Sequence, residues 1–362
     1  MKKAFFIAST GQHVGKTTTC LGLVSGLNNY FQNVGFQKPV GQEHVEVEQG
    51  LRVDKDVVLF KETFQLQHPY QAMSPVLFPR GFTRDYLDGK IDHQKLISAI
   101  ELGFNQIAES SDCIVVEGTG HIGVGSICDL NNAAVAKLLG LDVIIIASGG
   151  LGSSFDALAL NKALCDSYGI KIKGVILNRV LQDKRTMIEN YFQKALSHWN
   201  IPLLGTIPFD YFLSNPTMKD FEVLFNACLL SGEKHHLRHF RSHRLIATPV
   251  DTYKRLILPN QLMITPASRE DVIAATIDYQ KSHGELLTGF VLTGDIPPSQ
   301  NILEALKKAD IPMLYTPVHS YKALKKITSY TVKIQQGDIE KIQEAITLVE
   351  KHLNFDMICA KT

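Results

Sequence analysis

The chain has 362 residues, with 37 Lys+Arg against 36 Asp+Glu. That length suits two domains, and the balanced charge leaves no field that would recruit nucleic acid or an anionic membrane, so neither is expected as a partner. Six cysteines (Cys20, Cys113, Cys128, Cys165, Cys228 and Cys359) are scattered without a CxxC pair, which reads as reduced thiols of a cytoplasmic protein rather than disulfides or a zinc site.

The opening "MKKAFFIAST" has the look of a signal peptide, but its apolar stretch is too short and it reads as a first strand. No segment approaches the roughly 18 apolar residues needed to cross a bilayer. Short apolar runs at 4–8, 34–37, 113–116, 143–147, 174–177 and 202–207 predict strands. Most are separated by stretches of helical periodicity at 16–27, 94–107, 131–139, 155–165 and 184–196. Alternating strands and helices, with strands apolar on both faces, predict a doubly wound, mostly parallel α/β sheet whose ligands bind beyond the carboxyl ends of the strands. The rhythm breaks over 212–245, which is charged and His-rich, and a second, smaller α/β series follows. Its predicted strands are 261–265, 289–293 and 312–315, and its helices 269–281 and 301–309, before a last helix near 338–352. This divides the chain into residues 1–211, 212–330 and a terminal strand and helix, 331–362, packed on the second domain. A chain ending near Tyr211 is then expected to fold and bind its ligand alone.

"IASTGQHVGKTTTCLGL" ends as a strand and continues as a helix around Gly15-Lys16-Thr17-Thr18. Amides at a helix start bind phosphate, Lys16 reaches the β- and γ-phosphates, and the Thr17 hydroxyl suits Mg²⁺. The full phosphate-loop pattern asks for glycine where Thr10 stands, so an ordinary strand–turn–helix connection is the alternative. "IVVEGTGHIGVGS" puts Glu117 at the end of a buried strand, where an acidic residue holds Mg²⁺ directly or through water; a solvated strand end is the alternative. In "RVDKDVVLF", Asp54 or Asp56 could complete the metal shell, and for Asp56 a helix N-cap explains the residue nearly as well. Asn178, closing "GVILNRV", carries an amide able to read an adenine edge or simply to make a turn.

These pieces in this order resemble the dethiobiotin synthetase family of P-loop proteins: the variant loop 10–17, "FQKPVG", "VDKDVVLF", "VEGTG" and "LNRV". That family's loop also lacks the standard first glycine. Over the whole length the chain is similar to the N-terminal module of long bacterial phosphotransacetylases, which joins such a P-loop NTPase domain to a DRTGG domain. Free-standing proteins of this arrangement are likened to P-loop ATPases or cobyrinate diamide synthases. The resemblance implies ATP and Mg²⁺ as cofactors, with Lys16 and Thr17 on the triphosphate and Asp56, Glu117 and Thr17 on the metal. It also implies Lys38 near the transferred phosphoryl group or a substrate anion, Asn178 at adenine, and hydroxyls of Thr10 and Thr18 beside the phosphates. Catalysis would rest on Lys16, Lys38 and Glu117, acting on a small carboxylate or phosphate ligand, in a homodimer.

The departures are specific. Gly118-Thr119-Gly120-His121 replaces the family's doubled glycine, so the substrate loop at Gly118 differs. Ser268-Arg269 and Thr293-Gly294-Asp295 stand where Asp-Arg and Thr-Gly-Gly are expected. No residues correspond to the acetyltransferase domain, so acetyl transfer to coenzyme A is not expected of this chain. Slow hydrolysis or activation of a carboxylate, an ATP-responsive regulatory module, and a true dethiobiotin synthetase all remain as readings. Arg80 and Arg84, in a proline-rich stretch, are candidates for a substrate lid because guanidinium forks match carboxylates and phosphates. His235, His239 and His243 would share a helix face and could hold zinc, but neighbouring arginines favour a basic surface segment.

Overall fold

The computed structural model describes residues 3–360, apart from the side chain of Gln49. The described chain forms two units: one running to Asp210 and resuming at Ile334, the other comprising Tyr211–Lys333.

In the first unit, strands β1 (Lys3–Ser9), β2 (Val34–Gln37), β3 (Cys113–His121), β4 (Val143–Ser148), β5 (Ile172–Val180) and β6 (Leu203–Pro208) lie in the order β6-β5-β4-β1-β3-β2. Every pairing in it is parallel. The strand residues are buried on both faces because helices cover both, as a parallel sheet requires. These helices are α1 (Lys16–Leu27), α2 (Lys55–Thr63), α3 (His93–Ser110), α4 (Asn132–Leu138), α5 (Gly152–Ser167) and α6 (Arg185–Ser197). The predicted strands and helices all appear, displaced at their ends by a few residues. Between β2 and α3 the chain also makes two short ladders, Val40–Gly41 with Val76–Leu77 and His44–Glu46 with Arg52–Asp54, which the sequence pattern did not announce.

The second unit carries β7 (Leu229–Ser231), β8 (Ser242–Leu245), β9 (Gln261–Pro266), β10 (Gly289–Thr293) and β11 (Met313–Thr316), in the order β7-β11-β10-β9-β8. Only the edge strand β7 is antiparallel. One face packs Met263, Phe290, Leu292 and Met313 under helices α8 (Glu270–His283) and α9 (Gln300–Ala309). The other packs Leu262, Ile264, Val291 and Leu314 under α7 (Met218–Phe225) and α10 (Ser320–Thr328). This unit therefore begins well before the predicted strand at 261. The His-rich segment is not a helix: Glu233–His235 is a single 3₁₀ turn and His243 lies in β8. Nor is it a simple basic surface. Phe240 is buried, Arg238 pairs with Glu285 at 2.6 Å and His235 with Asp310 at 2.9 Å. Arg269 is half-buried and makes a local surface pair with Asp271 at 2.8 Å. Gly294 has a φ of 106°, a conformation that asks for glycine, while the Thr293 hydroxyl sits 2.6 Å from that of Ser320.

The terminal segment expected on the second domain belongs instead, from Ile334 onward, to the first unit. Among its described residues there is no strand; the helices α11 (Ile339–His352) and α12 (Phe355–Cys359) belong to the first unit, and α11 lies along α1. The physical reason is visible in α1, which from Thr19 to Leu27 is buried at every residue but Ser25, so the sheet covers only part of its buried surface. Gly22 and Gly26, one turn apart on the same face, let α11 and α12 approach. A Cβ on Gly22 would fall 2.3 Å from Cβ of Val349, and one on Gly26 would fall 2.1 Å from Cζ of Phe355. Gly22→Ala is therefore expected to destabilise by about 1–3 kcal/mol through overpacking. The helix-propensity gain of roughly 1 kcal/mol offsets only part of this. Urea unfolding checks the sign; a more stable variant would show that α11 yields freely.

Candidate functional site

The site assembles where β1, β2 and β3 end and α1 and α2 begin. Gly15 is the N-cap of α1 with φ 92°, no side chain caps the helix, and no acidic residue lies in its first turn. A Cβ at Gly15 would fall 2.2 Å from Nδ2 of Asn178, so glycine is required both by its dihedral and by its neighbour. Lys16 donates to the Gly120 carbonyl at 2.8 Å and to the Ser9 hydroxyl at 3.0 Å, which folds the ammonium back over the loop. Burial lowers the Lys16 pKa, partly opposed by Glu117. Thr10 is held by its backbone, donating to Ile146 O at 2.9 Å, and Thr18 stands half-buried in the first turn of α1.

The Thr17 hydroxyl lies 3.0 Å from Oε1 of Glu117 and 3.4 Å from Oδ2 of Asp56. Lys38, the residue after β2, is buried and placed over the same two carboxylates. It contacts Oδ2 of Asp56, with Oδ1 of Asp54 at 3.3 Å and Oε1 of Glu117 at 3.6 Å. Phe36 and Phe60 stack with centroids 3.8 Å apart, fastening the end of β2 to α2 and so Lys38 to Asp56. Burial by itself would lower the Lys38 pKa, but Asp56, Glu117 and Asp54 outweigh it and hold the ammonium well above its usual range. Burial pushes the Glu117 carboxyl up, against the pull of Lys38.

Asp54 and Asp56 divide the two roles that the sequence left open. Asp54 is the N-cap of α2, accepting from the Asp56 amide at 3.0 Å and the Gln42 amide at 3.1 Å, whereas Asp56 faces Thr17 and Lys38. The cap explanation thus passes from Asp56 to its neighbour.

Asn178 is turned toward the loop itself: Nδ2 donates to Val14 O at 2.8 Å and Oδ1 accepts from the Arg179 amide at 2.9 Å. Its amide braces the phosphate loop from β5. Gly118 faces Asn132, whose Oδ1 would lie 2.6 Å from an added Cβ. Asn132 then clamps the following turn, accepting from the Thr119 amide at 3.0 Å and donating to His121 O at 2.7 Å. Arg80 and Arg84 are exposed on either side of Gly81 and neither joins the cluster around Lys38. Ser9, Asn132 and the Gly120 carbonyl escaped the sequence reading. Ser9 alone left a signal, as the last residue before the loop.

Mg²⁺ takes hard oxygen donors, commonly one or two carboxylates together with substrate phosphates. Among the described residues no group of three or more His, Cys, Asp or Glu side chains is arranged to hold a metal unaided. The donors present nevertheless fit the ion. Thr17 Oγ1, Asp56 and Glu117 converge, and Oε2 of Glu117, wholly buried, has no hydrogen-bond partner. No described helix is long and apolar enough to cross a membrane.

A family model described as an AAA domain matches residues 3–217, and one described as a DRTGG domain matches residues 223–330. The phosphate acetyltransferase of Nitrosomonas europaea is 27% identical over 377 residues, covering 98% of this chain and 51% of the relative. The chain thus spans about half the length of the phosphate acetyltransferases it matches. An ATP-dependent dethiobiotin synthetase of Clostridium kluyveri is 27% identical over 192 residues, 51% of this chain and 77% of that one. Among solved structures, the MinD cell division protein of Aquifex aeolicus aligns over 58% of this chain and 84% of its own, at 17% identity and a TM-score of 0.36. With its loop Thr10–Thr18, acidic partners and second α/β unit in place, the chain belongs to the AAA-domain family, as a dethiobiotin-synthetase-like P-loop NTPase unit joined to a DRTGG domain in the manner of the phosphotransacetylase N-terminal module.

Proposed function

We propose that this chain binds ATP with Mg²⁺ at the amino end of α1 and uses it for phosphoryl transfer, to water slowly or to an oxygen of a small carboxylate. The observation that carries this is the convergence of Lys16, Thr17, Lys38, Asp56 and Glu117 around one helix start. Lys16 neutralises the β- and γ-phosphates, the α1 amides cradle them, and Lys38 stands ready for the phosphoryl group or the acceptor. Thr17, Asp56 and Glu117 would hold Mg²⁺, which would supply charge neutralisation at the β- and γ-phosphates. Asn178 supports the loop from behind, and Arg80 and Arg84 stay a proposed lid for an anionic acceptor.

The test is Glu117→Gln, which preserves shape and removes the charge. Nucleotide binding should persist while ATP turnover falls on the order of a hundredfold, as for other electrostatic contributors. Undiminished phosphate release would reduce Glu117 to a buried strand end.

A second reading, ATP as a signal rather than a substrate, is favoured by the match to one half of the phosphate acetyltransferases, DRTGG domain included. Under it, nucleotide would bind without measurable turnover and alter a homodimer, which light scattering with and without MgATP would detect.

A further inference from the structure

Two carboxylate oxygens at the site carry two claims each. Oδ2 of Asp56 and Oε1 of Glu117 are the oxygens nearest the Thr17 hydroxyl, and they are also the ones that Lys38 holds. Lys16 is not on them; it is engaged with Gly120 and Ser9. Asp54 differs in kind. Both its oxygens accept backbone amides, from Asp56 and Gln42, and its own amide donates to Ser74 Oγ at 2.9 Å, so this carboxylate is fixed in place.

We propose that Lys38 is an exchangeable cation: its ammonium holds Asp56 and Glu117 together until a divalent ion takes those oxygens, and it is then retained by Asp54 alone. This rests on the reading of the site as a metal–nucleotide centre. A small divalent ion demands close oxygen contacts in near-octahedral array. An ammonium bonded to the same oxygens would be left a few ångströms from it as a like charge in a buried site, where such repulsion is weakly screened. Lys38 also has a way out. Its stem is anchored at the end of β2 and Asp54 remains within 3.3 Å as a counter-charge, so only the head must turn. The consequence is an order of events. Lys38 is free to face an anion only after metal has loaded, and the nucleotide-free protein binds metal poorly because its own lysine competes.

The full chain without nucleotide is titrated with Mn²⁺ and followed by electron paramagnetic resonance, wild type beside Lys38→Met. Removing a competing charge at this range should tighten Mn²⁺ binding on the order of tenfold or more. A folded Lys38→Met protein with unchanged or weaker affinity overturns the proposal. Independently, the lysine ammonium resonances of ¹⁵N-lysine-labelled wild type are followed during Mg²⁺ addition. The Lys38 signal, assigned by its loss in Lys38→Met or Lys38→Arg, should move at Mg²⁺ concentrations that leave Lys16 unmoved. A stationary Lys38 signal at saturating Mg²⁺ also overturns the exchange, even where Lys38→Met fails to fold. MgATP stabilisation of the wild type, measured in parallel, separates the two readings. If it is present while Lys38 is inert, only the exchange fails; if MgATP and Mn²⁺ are both without effect, the nucleotide centre fails with it.

Discussion

Lys16→Ala is expected to abolish the stabilisation that MgATP confers on the folded chain. A ligand bound only to the native state contributes about 2.7 kcal/mol at a hundredfold excess over its dissociation constant. In the wild type this should appear as a rise of several degrees in the melting temperature. Lys16 is the residue on which this depends most. It leaves the first turn of α1 and already bridges the ends of β1 and β3 through Ser9 and Gly120, the position from which it meets phosphate. Its alternative partners are a hydroxyl and a carbonyl, both easily surrendered to a triphosphate. The variant should fold normally, because no carboxylate is left without a counter-charge: Glu117 keeps Lys38. Melting curves with and without MgATP decide the matter. A shift in Lys16→Ala equal to that of the wild type would refute the site.

Ending the chain at Asp210 is expected to leave the first unit unable to fold stably. The cut removes α11 and α12, and with them Val349, Leu353, Phe355 and Ile358, all buried in the intact chain. Each such side chain is worth about 1.5–3 kcal/mol of burial. Their sum approaches the whole stability of a typical domain, about 5–15 kcal/mol. The cut also exposes the glycine face of α1, the helix that starts at the phosphate loop. Replacing Tyr211–Lys333 by a flexible Gly/Ser linker keeps α11 on α1, so that deletion should fold and bind MgATP. Circular dichroism and nucleotide titration on both proteins test the contrast. If the chain ending at Asp210 melts cooperatively and binds MgATP as tightly as the full protein, the terminal helices are dispensable.

Local signals were enough for much of this. The apolar runs and helical periods in residues 1–211 announced the parallel sheet, because strands buried on both faces can carry no polar alternation. Gly15, Lys16 and Thr17 announced the phosphate loop, and the acid at the end of a buried strand announced Glu117, since both are contiguous in the chain and chemically costly to keep without use. What tertiary structure decided are the pairings between distant residues. Lys38, Asp54, Asp56 and Glu117 come from three separate elements, and only the fold brings one ammonium between three carboxylates. Which aspartate caps α2 turned on where the backbone enters the helix: Asp54 is still extended and accepts the Asp56 amide, whereas Asp56 already lies in the first turn. Asn178 went to the loop because the backbone at Val14 passes within reach of its amide. The amphipathic pattern near 338–352 announced a helix, but the expectation that the second domain covers its apolar face fails, because that helix belongs to the first unit. Gly22 and Gly26 settled that, since only a helix surface lacking side chains lets Val349 and Phe355 come so near. Periodicity reports that a face must be buried, and shape complementarity between surfaces far apart in the chain selects the partner that buries it.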